Sequence, residues 1–507
     1  MKDINKLSYD ELIKLVTSQA KEIEKLKLLI AMNNARTFSK KSEHIDKEEY
    51  NLFNYNDVEL NSTTTFNDEV NELETKKVKK RKTKNHENID FESMVTETII
   101  HEENNCGHDQ NLVSEDITYK AEVKVDIKVI KHIFKTTKCS KCETITTPKR
   151  DFVFNNSIAT PSLVAYVANE KFSMGTPLFR QEQAFLSTGF PLSRVNLSNY
   201  LMKGAALLNP FYKYLKYLLI NNDLKVLHAD ETTLKVINVG DKKKRDKSYV
   251  WMYATSKYDK PIYIYEYRYD RRGVWPVNFL KDFKGYLVVD DYKGYNNIPN
   301  VTLQKCFVHA RRKFTDIFKA NKDPKIKEII LLIDKIFEDE RMFRDNNLSA
   351  EEIKENRNSK EYLELVNNYF NHIENTNYSP NSVTGKAVDY SLKIKRELLT
   401  YLSDGNIPID NNLAERGIKP FVINRKNFLF SNTENGARAS TILMSIIFTA
   451  KTNGLDPNRY LAYLFEELHK LNLYQNELSL EDMLKMEYLL PWNEEIKSMF
   501  KVKEVAR

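Results

Sequence analysis

With 507 residues the chain has room for about three or four domains of ordinary size, and its 78 basic and 71 acidic residues leave a formal charge of +7. That excess permits a polyanionic partner without demanding one. The four cysteines (Cys106, Cys139, Cys142 and Cys306) are too few and too scattered for a secreted disulfide framework, the opening MKDINKLSYDEL has no apolar signal core, and the longest apolar stretch, ASTILMSIIFTA from Ala439, is too short to span a bilayer. A soluble protein of a reducing compartment, expected in the cytoplasm, is what remains.

In chain order, Leu12, Val16, Gln19, Ile23, Leu26 and Ile30 fall on a heptad seam, which predicts a short coiled coil or an amphipathic helix packed on its own chain, within residues 1–45. Residues 46–90 read as a flexible linker, acidic and rich in Asn and Thr, that ends in KKVKKRKTK. Lys79, Lys80 and Arg81 in that run are candidates to follow a phosphate backbone, against the alternative of a solvated tail. Residues 91–150 read as a zinc-ribbon-like module: the alternating AEVKVDIKVIKHIF predicts a β-hairpin, followed by CSKC. Cys139 and Cys142 form one chelating pair; Cys106 and His108 are the candidates to complete a Zn²⁺ site.

Within residues 151–205, TPLFRQEQAFLSTGFPLSRVNLSNYL has the pattern of two helices around a Gly-Phe-Pro turn, the second capped by Ser193, which is a helix-turn-helix-like arrangement. From Leu224 the pattern changes to strands: LKVLHADETTLKVI, a pair within SYVWMYATSKYDKPIYIYEY, a short helix GVWPVNFLKDF, then GYLVVDD and VTLQKCFV leading into the helix HARRKFTDIFKA. Three strands in meander, a helix, two strands and a helix is the order of a ribonuclease-H-like core. We assign it to residues 206–440, with a helical insertion at about 322–401 and a C-terminal helical segment at 441–507. The predicted fold class is thus multidomain α+β and α/β. A ribonuclease-H-like mixed-sheet catalytic core carries a helical insertion and follows a coiled coil, a zinc-ribbon-like hairpin and a helical DNA-binding region.

Two acids in this core are hard to explain as surface charge. Asp230 lies inside an apolar-flanked strand, and Asp290 continues the strand YLVV ahead of Asp291. A buried carboxylate costs several kcal/mol unless it is paired or bound to a cation. In a ribonuclease-H-like sheet the two strands are neighbours, so the like charges approach, and a divalent cation relieves the repulsion. Glu415, on a helix capped by Asp410 and opening at Asn411, is the candidate third ligand. Oxygen ligands alone suit Mg²⁺ or Mn²⁺, and such a site activates water or a 3′-hydroxyl at a phosphodiester. Taken by itself, Glu415 also fits an exposed ion pair with Lys419 one helical turn on.

At these residues the chain resembles the transposases of the insertion sequence 66 family. The resemblance runs from ARTFSKKSEHI through VIKHIFKTTKCSKC, HADETTLKV, VVDDYKGYN and CFVHARRKF to DGNIPIDNNLAERGIKPFVINRKNFLFSNTENGA, TAKTNGLDPNRYL and LLPWN. It implies a DDE-type DNA transposase with Asp230, Asp290 and Glu415 as catalytic acids. Its expected reaction is metal-dependent cleavage at the element ends, then attack of the 3′-hydroxyls on target DNA. Arg311, Arg312, Lys313, Arg425 and Lys426 are candidates to hold phosphates. The expected partners are terminal-repeat and target DNA, a second copy of the chain as at least a dimer, and small accessory proteins, with a nucleoid-associated location and no membrane. The chain departs from the family pattern at Ser39, where Gly is usual, at Glu103, where the first cysteine of a pair would fall, and at Lys419, where Arg is common. A nuclease that cleaves without joining and a catalytically silent DNA-binding protein are the alternatives.

Overall fold

A computed structural model of the chain describes residues 9–38, 127–138, 140, 145–239, 247–376, 378–473 and 478–502. Its centre is a five-stranded mixed sheet in the order β6-β5-β3-β7-β8, built from β3 (Val226–Leu234), β5 (Ser248–Thr255), β6 (Tyr263–Arg268), β7 (Gly285–Val289) and β8 (Val301–Lys305). β3, β7 and β8 run parallel, while β5 and β6 are antiparallel to their neighbours. Parallel strands are covered on both faces and therefore read as apolar runs, as YLVV of β7 does. The order and directions are compatible with a ribonuclease-H-like core.

Alternation along the strands divides the apolar side chains between two clusters. Leu227 and Ala229 of β3 join the larger one, built from α2 (Pro161–Phe172), α3 (Leu178–Ser187), α4 (Arg194–Ile220), and the later helices α13 (Glu434–Thr452), α14 (Pro457–Leu471), α15 (Leu480–Leu484) and α16 (Glu494–Phe500). Val226 and Val288 join the second, with α6 (Phe307–Asn321), α7 (Pro324–Asp345), α9 (Lys360–Asn375), α10 (Val383–Lys393) and α11 (Lys395–Leu398), while the short α8 (Ala350–Arg357) connects α7 to α9. The short β4 (Val236–Asn238) follows β3 and pairs in parallel with β9 (Ser431–Thr433), the short α5 (Val274–Phe279) lies between β6 and β7, and α12 (Asn412–Phe428) packs on β3 and β5.

Both sheet edges are closed by side chains that bond to backbone groups, which removes the pairing hazard of a bare edge. At β6, Ser445 and Thr449 of α13 accept the N–H groups of Tyr265 and Tyr263 at 2.8 and 3.0 Å. At β8, Thr400 donates to Leu303 O at 2.8 Å and Gln304 Oε1 accepts from Tyr401 N–H at 2.7 Å.

Several expectations change here. The limits at 205/206 and 440/441 fall inside α4 and α13, so the segments 151–205 and 441–502 share one core with the sheet rather than forming separate units. α4 spends most of its length in that core and leaves Arg194, Val195 and Asn196 of its first turn exposed. The described part of the alternating stretch, residues 127–134, forms no strand. The hairpin is instead the short pair β1 (Thr137–Lys138) and β2 (Ile145–Thr146). The four proposed zinc ligands Cys106, His108, Cys139 and Cys142, like Lys79, Lys80 and Arg81 and the whole linker 46–90, lie outside the described residues. α1 (Tyr9–Phe38) lies against α6 and α10 with Leu28 and Met32 half-buried, while Val16, Ile23, Leu26 and Ile30 of the heptad seam are exposed.

Between Pro324 and Ser403 every regular element is helical, and two buried ion pairs fix the angles between these helices. Arg311 of α6 grips Asp334 of α7, and Arg357 of α8 donates to both carboxylate oxygens of Glu340 at 2.8 and 2.7 Å. Arg357 also donates to Tyr401 O and Asp404 O, and Tyr362 adds its hydroxyl to Glu340 at 2.9 Å. Severing such a pair leaves an uncompensated buried charge. Arg357→Ala is therefore expected to lower unfolding free energy by about 3–5 kcal/mol, read as a shift in the urea midpoint. Lys497→Ala, which removes only an exposed partner of Glu494, should cost less than about 1 kcal/mol.

Candidate active site

The site is assembled by the docking of α12 on the sheet. The N-cap is Asn411 and not the expected Asp410, which precedes it and accepts Asn412 N–H at 2.9 Å; the helix thus opens one residue later than expected and Glu415 stands in its first turn. Buried Asn411 ties this end to the sheet. Its amide donates to Ala229 O at 2.9 Å, its Oδ1 meets His228 Nδ1 at 2.9 Å, and its backbone N–H points at Cys306 Sγ at 3.2 Å. Burial pushes the His228 imidazole down to about 4, so it is neutral, and pushes the Cys306 thiol up to about 12. Midway, Gly417 allows the close approach: a Cβ there would lie 2.8 Å from the Tyr263 ring and 3.0 Å from Met252. Tyr265 donates its hydroxyl to the Gly417 carbonyl. At the far end Arg425 donates to Thr232 and Thr233 of β3, and Asn424 to Phe172 O.

This docking brings Glu415 to the cleft that Asp230 and Asp290 also line, a cavity of about 600 Å³. β3 and β7 are in register at His228↔Val288, and continuing that pairing sets Asp230 beside Asp290. Burial first, then the neighbouring charges of Glu231, Asp290 and Glu415, raise the Asp230 carboxyl to about 8. Asp291 is engaged by the buried Lys305, which leaves Asp290 as the acid of that pair that lines the cleft beside Asp230. Each strand acid rests on a nearby backbone donor: Asp230 accepts Glu231 N–H at 2.8 Å and Asp290 accepts Tyr292 N–H at 2.9 Å. Among the described residues no three metal-binding side chains converge into a finished cage. The donors nevertheless suit a hard divalent cation: three carboxylates share one cleft, and Glu415 Oε1 is buried without a hydrogen-bond partner.

The candidate cations separate by position. Arg312 lines the cleft, with Nη2 at 3.8 Å from Glu415 Oε2, while Lys313 lies over the Tyr390 ring in an adjoining cavity. Arg311 also lines the cleft, from the buried side of α6. It is bonded to Asp334 through Nε at 2.5 Å and Nη2 at 3.1 Å, which makes it a strut between α6 and α7. Arg425 is committed to β3, whereas Lys426 is exposed at the last turn of α12.

Some site residues escaped the sequence reading. His309 sits with Nε2 at 3.7 Å from Glu415 Oε1, and burial lowers its basicity. Helical spacing could have found it, because 309, 312, 313 and 316 share one face of α6 while 307, 311, 314 and 318 share the buried one. Lys319, Arg416 and Lys419 also line the cleft. Glu231 points to the opposite face of β3 from Asp230, where Tyr295 donates to it at 2.6 Å and Arg271 at 2.7 Å. No pattern in the sequence marks that pairing.

The family model described as "Transposase IS66 family" matches residues 156–439. Among curated proteins the chain is similar to the uncharacterized protein y4jD of Sinorhizobium fredii, 29% identical over 371 residues covering 70% of each chain. It is also similar to the uncharacterized protein y4hP of the same organism, 29% identical over 392 residues, or 70% of this chain and 68% of the other. No solved structure matches the chain.

Two outcomes follow from this geometry. Arg312→Ala should weaken DNA binding and flatten its salt dependence with little change in unfolding midpoint, whereas Arg311→Ala should lower the midpoint; fluorescence anisotropy and urea titration separate the two. The second concerns pH. An unfolded aspartate ionises near about 4, but folded Asp230 keeps its proton up to about pH 8. Its contribution to stability is therefore full below the unfolded value and is lost as pH rises through about 8. Added Mg²⁺ should raise the melting temperature more above about pH 8 than at neutral pH, and Asp230→Asn should remove that pH dependence.

Proposed function

Because the chain belongs to the IS66 transposase family, matched over residues 156–439, and such a protein works on DNA, we propose that it cuts phosphodiester bonds at the ends of a mobile element and joins the freed 3′-hydroxyls to target DNA. What carries this reading is the meeting of Asp230, Asp290 and Glu415 in one cleft, with Glu415 Oε1 buried and unpartnered.

Mg²⁺ or Mn²⁺ held by these three carboxylates supplies charge neutralisation at the scissile phosphate and a lowered pKa for the attacking water. The chain's own residues do the positioning. Arg312, Lys319, Arg416 and Lys419 line the cleft from α6 and α12 and present point and fork cations to backbone phosphates without reading sequence. The oxygen of water attacks phosphorus in line, the P–O3′ bond breaks, and the leaving 3′-oxygen takes up a proton. In joining, that 3′-hydroxyl loses its proton, attacks a target phosphate and displaces a second 3′-oxygen. Burial lowers the basicity of His309 beside Glu415, which weakens its competition for the carboxylate.

Two further parts belong to the same proposal. The exposed seam Val16–Ile23–Leu26–Ile30 suits pairing of two copies, one on each DNA end. Zinc at Cys106, His108, Cys139 and Cys142 is proposed from donor chemistry alone. Cleavage and joining of element-end DNA in Mg²⁺ should each fall at least about a thousandfold in Asp230→Asn, Asp290→Asn and Glu415→Gln, measured by gel assay. Retained activity in any one variant removes that acid from the site. Cleavage without joining by the parent would replace the transposase reading with that of a nuclease.

A further inference from the structure

A second cavity of about 440 Å³ adjoins the acid-lined cleft and shares Asp290, His309, Arg312 and Asp316 with it. Its remaining walls come from separate parts of the chain. Arg271 follows β6, Asp291 and Tyr292 follow β7, Lys313 lies on α6, and Tyr390 lies on α10 of the helical insertion.

Arg271 is held from two directions. Its Nε donates at 2.7 Å to Glu231, whose side chain is 2% exposed, and its guanidinium lies 3.9 Å from the centre of the Tyr292 ring. The Tyr292 hydroxyl donates to Arg271 O, and Tyr292 meets Tyr295 edge to face. Opposite charges and stacking thus fix the orientation of the planar group before any ligand arrives. On the insertion side the Lys313 ammonium stands 4.1 Å from the centre of the Tyr390 ring.

A molecule that fits these walls must bring negative charge to Arg312 and Lys313, clear of the Asp291 and Asp316 carboxylates, and a flat face to Tyr390 or the Arg271 plane. It must also be continuous with whatever reaches Asp290. A nucleotide within a duplex fails, because its base is stacked and paired inside the helix. An unpaired nucleotide meets all three demands, since stacking on an aromatic or guanidinium face replaces the stacking it has lost.

We propose that this cavity receives an unpaired nucleotide of DNA next to the phosphate held at the acids, with Tyr390 and Arg271 as its stacking surfaces and Arg312 and Lys313 on its phosphate. The proposal rests on the acids being the phosphodiester site. It goes further in assigning a DNA contact to the helical insertion and in requiring the end of the DNA to open.

The test is fluorescence anisotropy of the full chain in Ca²⁺, with a labelled duplex carrying a short unpaired thymidine tail and with its blunt counterpart. The parent should bind the tailed duplex more tightly. Tyr390→Ala and Arg271→Ala should each weaken tailed binding by roughly fivefold or more and leave blunt binding unchanged. Tyr390→Phe, which keeps the ring, should behave as the parent, and unchanged blunt binding by the alanine variants reports that they are folded. Equal affinity of the parent for the two DNAs, including none for either, overturns the proposal. So does tail preference surviving in Tyr390→Ala or vanishing in Tyr390→Phe. No bond is broken in this measurement, so it stands or fails separately from the cleavage assays on Asp230, Asp290 and Glu415.

Discussion

The seating of α12 against the sheet is the constraint on which the site depends. Glu415 lies far along the chain from Asp230 and Asp290, so nothing local holds it near them. A chain of polar contacts and one close approach does that work. Asn411 satisfies both a strand carbonyl and a buried imidazole, Gly417 lets the helix axis come in against Tyr263 and Met252, and Arg425 fastens the last turn to β3. Each of these groups is buried or half-buried, so losing a partner would leave a desolvated polar group behind. That penalty makes the docked position much better defined than apolar contact alone would make it. The geometry of the acid cleft follows from backbone and side-chain satisfaction elsewhere on the helix.

The same docking creates an electrostatic problem that the fold leaves unresolved by itself. Bringing Glu415 to a cleft that already holds Asp230 and Asp290 adds like charge, and the proton retained by Asp230 is the chain's own response to it and to burial. Asp230 and Asp290 rest on backbone N–H groups, and Arg312 stands off Glu415 at 3.8 Å, too far for a direct hydrogen bond. Acids gathered but not fully neutralised are what the proposed divalent cation would relieve. The cations along α6 and α12 fit the same proposal, because a phosphate backbone needs positive potential along its approach and negative charge only where a metal would bind.

How much of this was legible in the sequence depended on the type of signal. Strands such as YLVV and helices such as the Ile326–Ile330–Ile333–Phe337 stripe follow from periodicity, and buried carboxylates inside strands are conspicuous because they are costly. Hence Asp230 and Asp290 could be singled out from flanking residues alone. Arg311 was not separable from Arg312 as a charge type, although the face it occupies on α6 is that of Phe307, Phe314 and Phe318. The hairpin was misplaced because Val, Ile and Lys alternate where no partner strand forms among the described residues, while the paired strands are only two residues long. That the limits at 205/206 and 440/441 fall inside helices has a different cause. Helices α4 and α13 carry apolar stripes that say they are buried but not that they are buried against the same sheet. The Glu231–Arg271 contact joins residues 40 positions apart across opposite sides of the meander, and only the folded register reveals it.

The helical insertion also takes on a more definite role. A segment that merely lengthened the chain between β8 and α12 could be attached loosely. This one is fixed by two buried ion pairs, Arg311–Asp334 and Arg357–Glu340, and by Gln304 and Thr400 closing the edge of β8. Buried ion pairs are a poor device for stability compared with apolar packing, but they accept a narrow range of geometries. Such rigidity matters where an element must present a side chain to a site built by others, and α10 does so with Tyr390. The ring meets Lys313 from the same α6 that bears His309 and Arg312. Movement of the insertion relative to the sheet would therefore alter the second cavity while leaving the strand acids in place. Binding of the DNA end and cleavage of its backbone, as proposed, would then fall to separable parts of one fold.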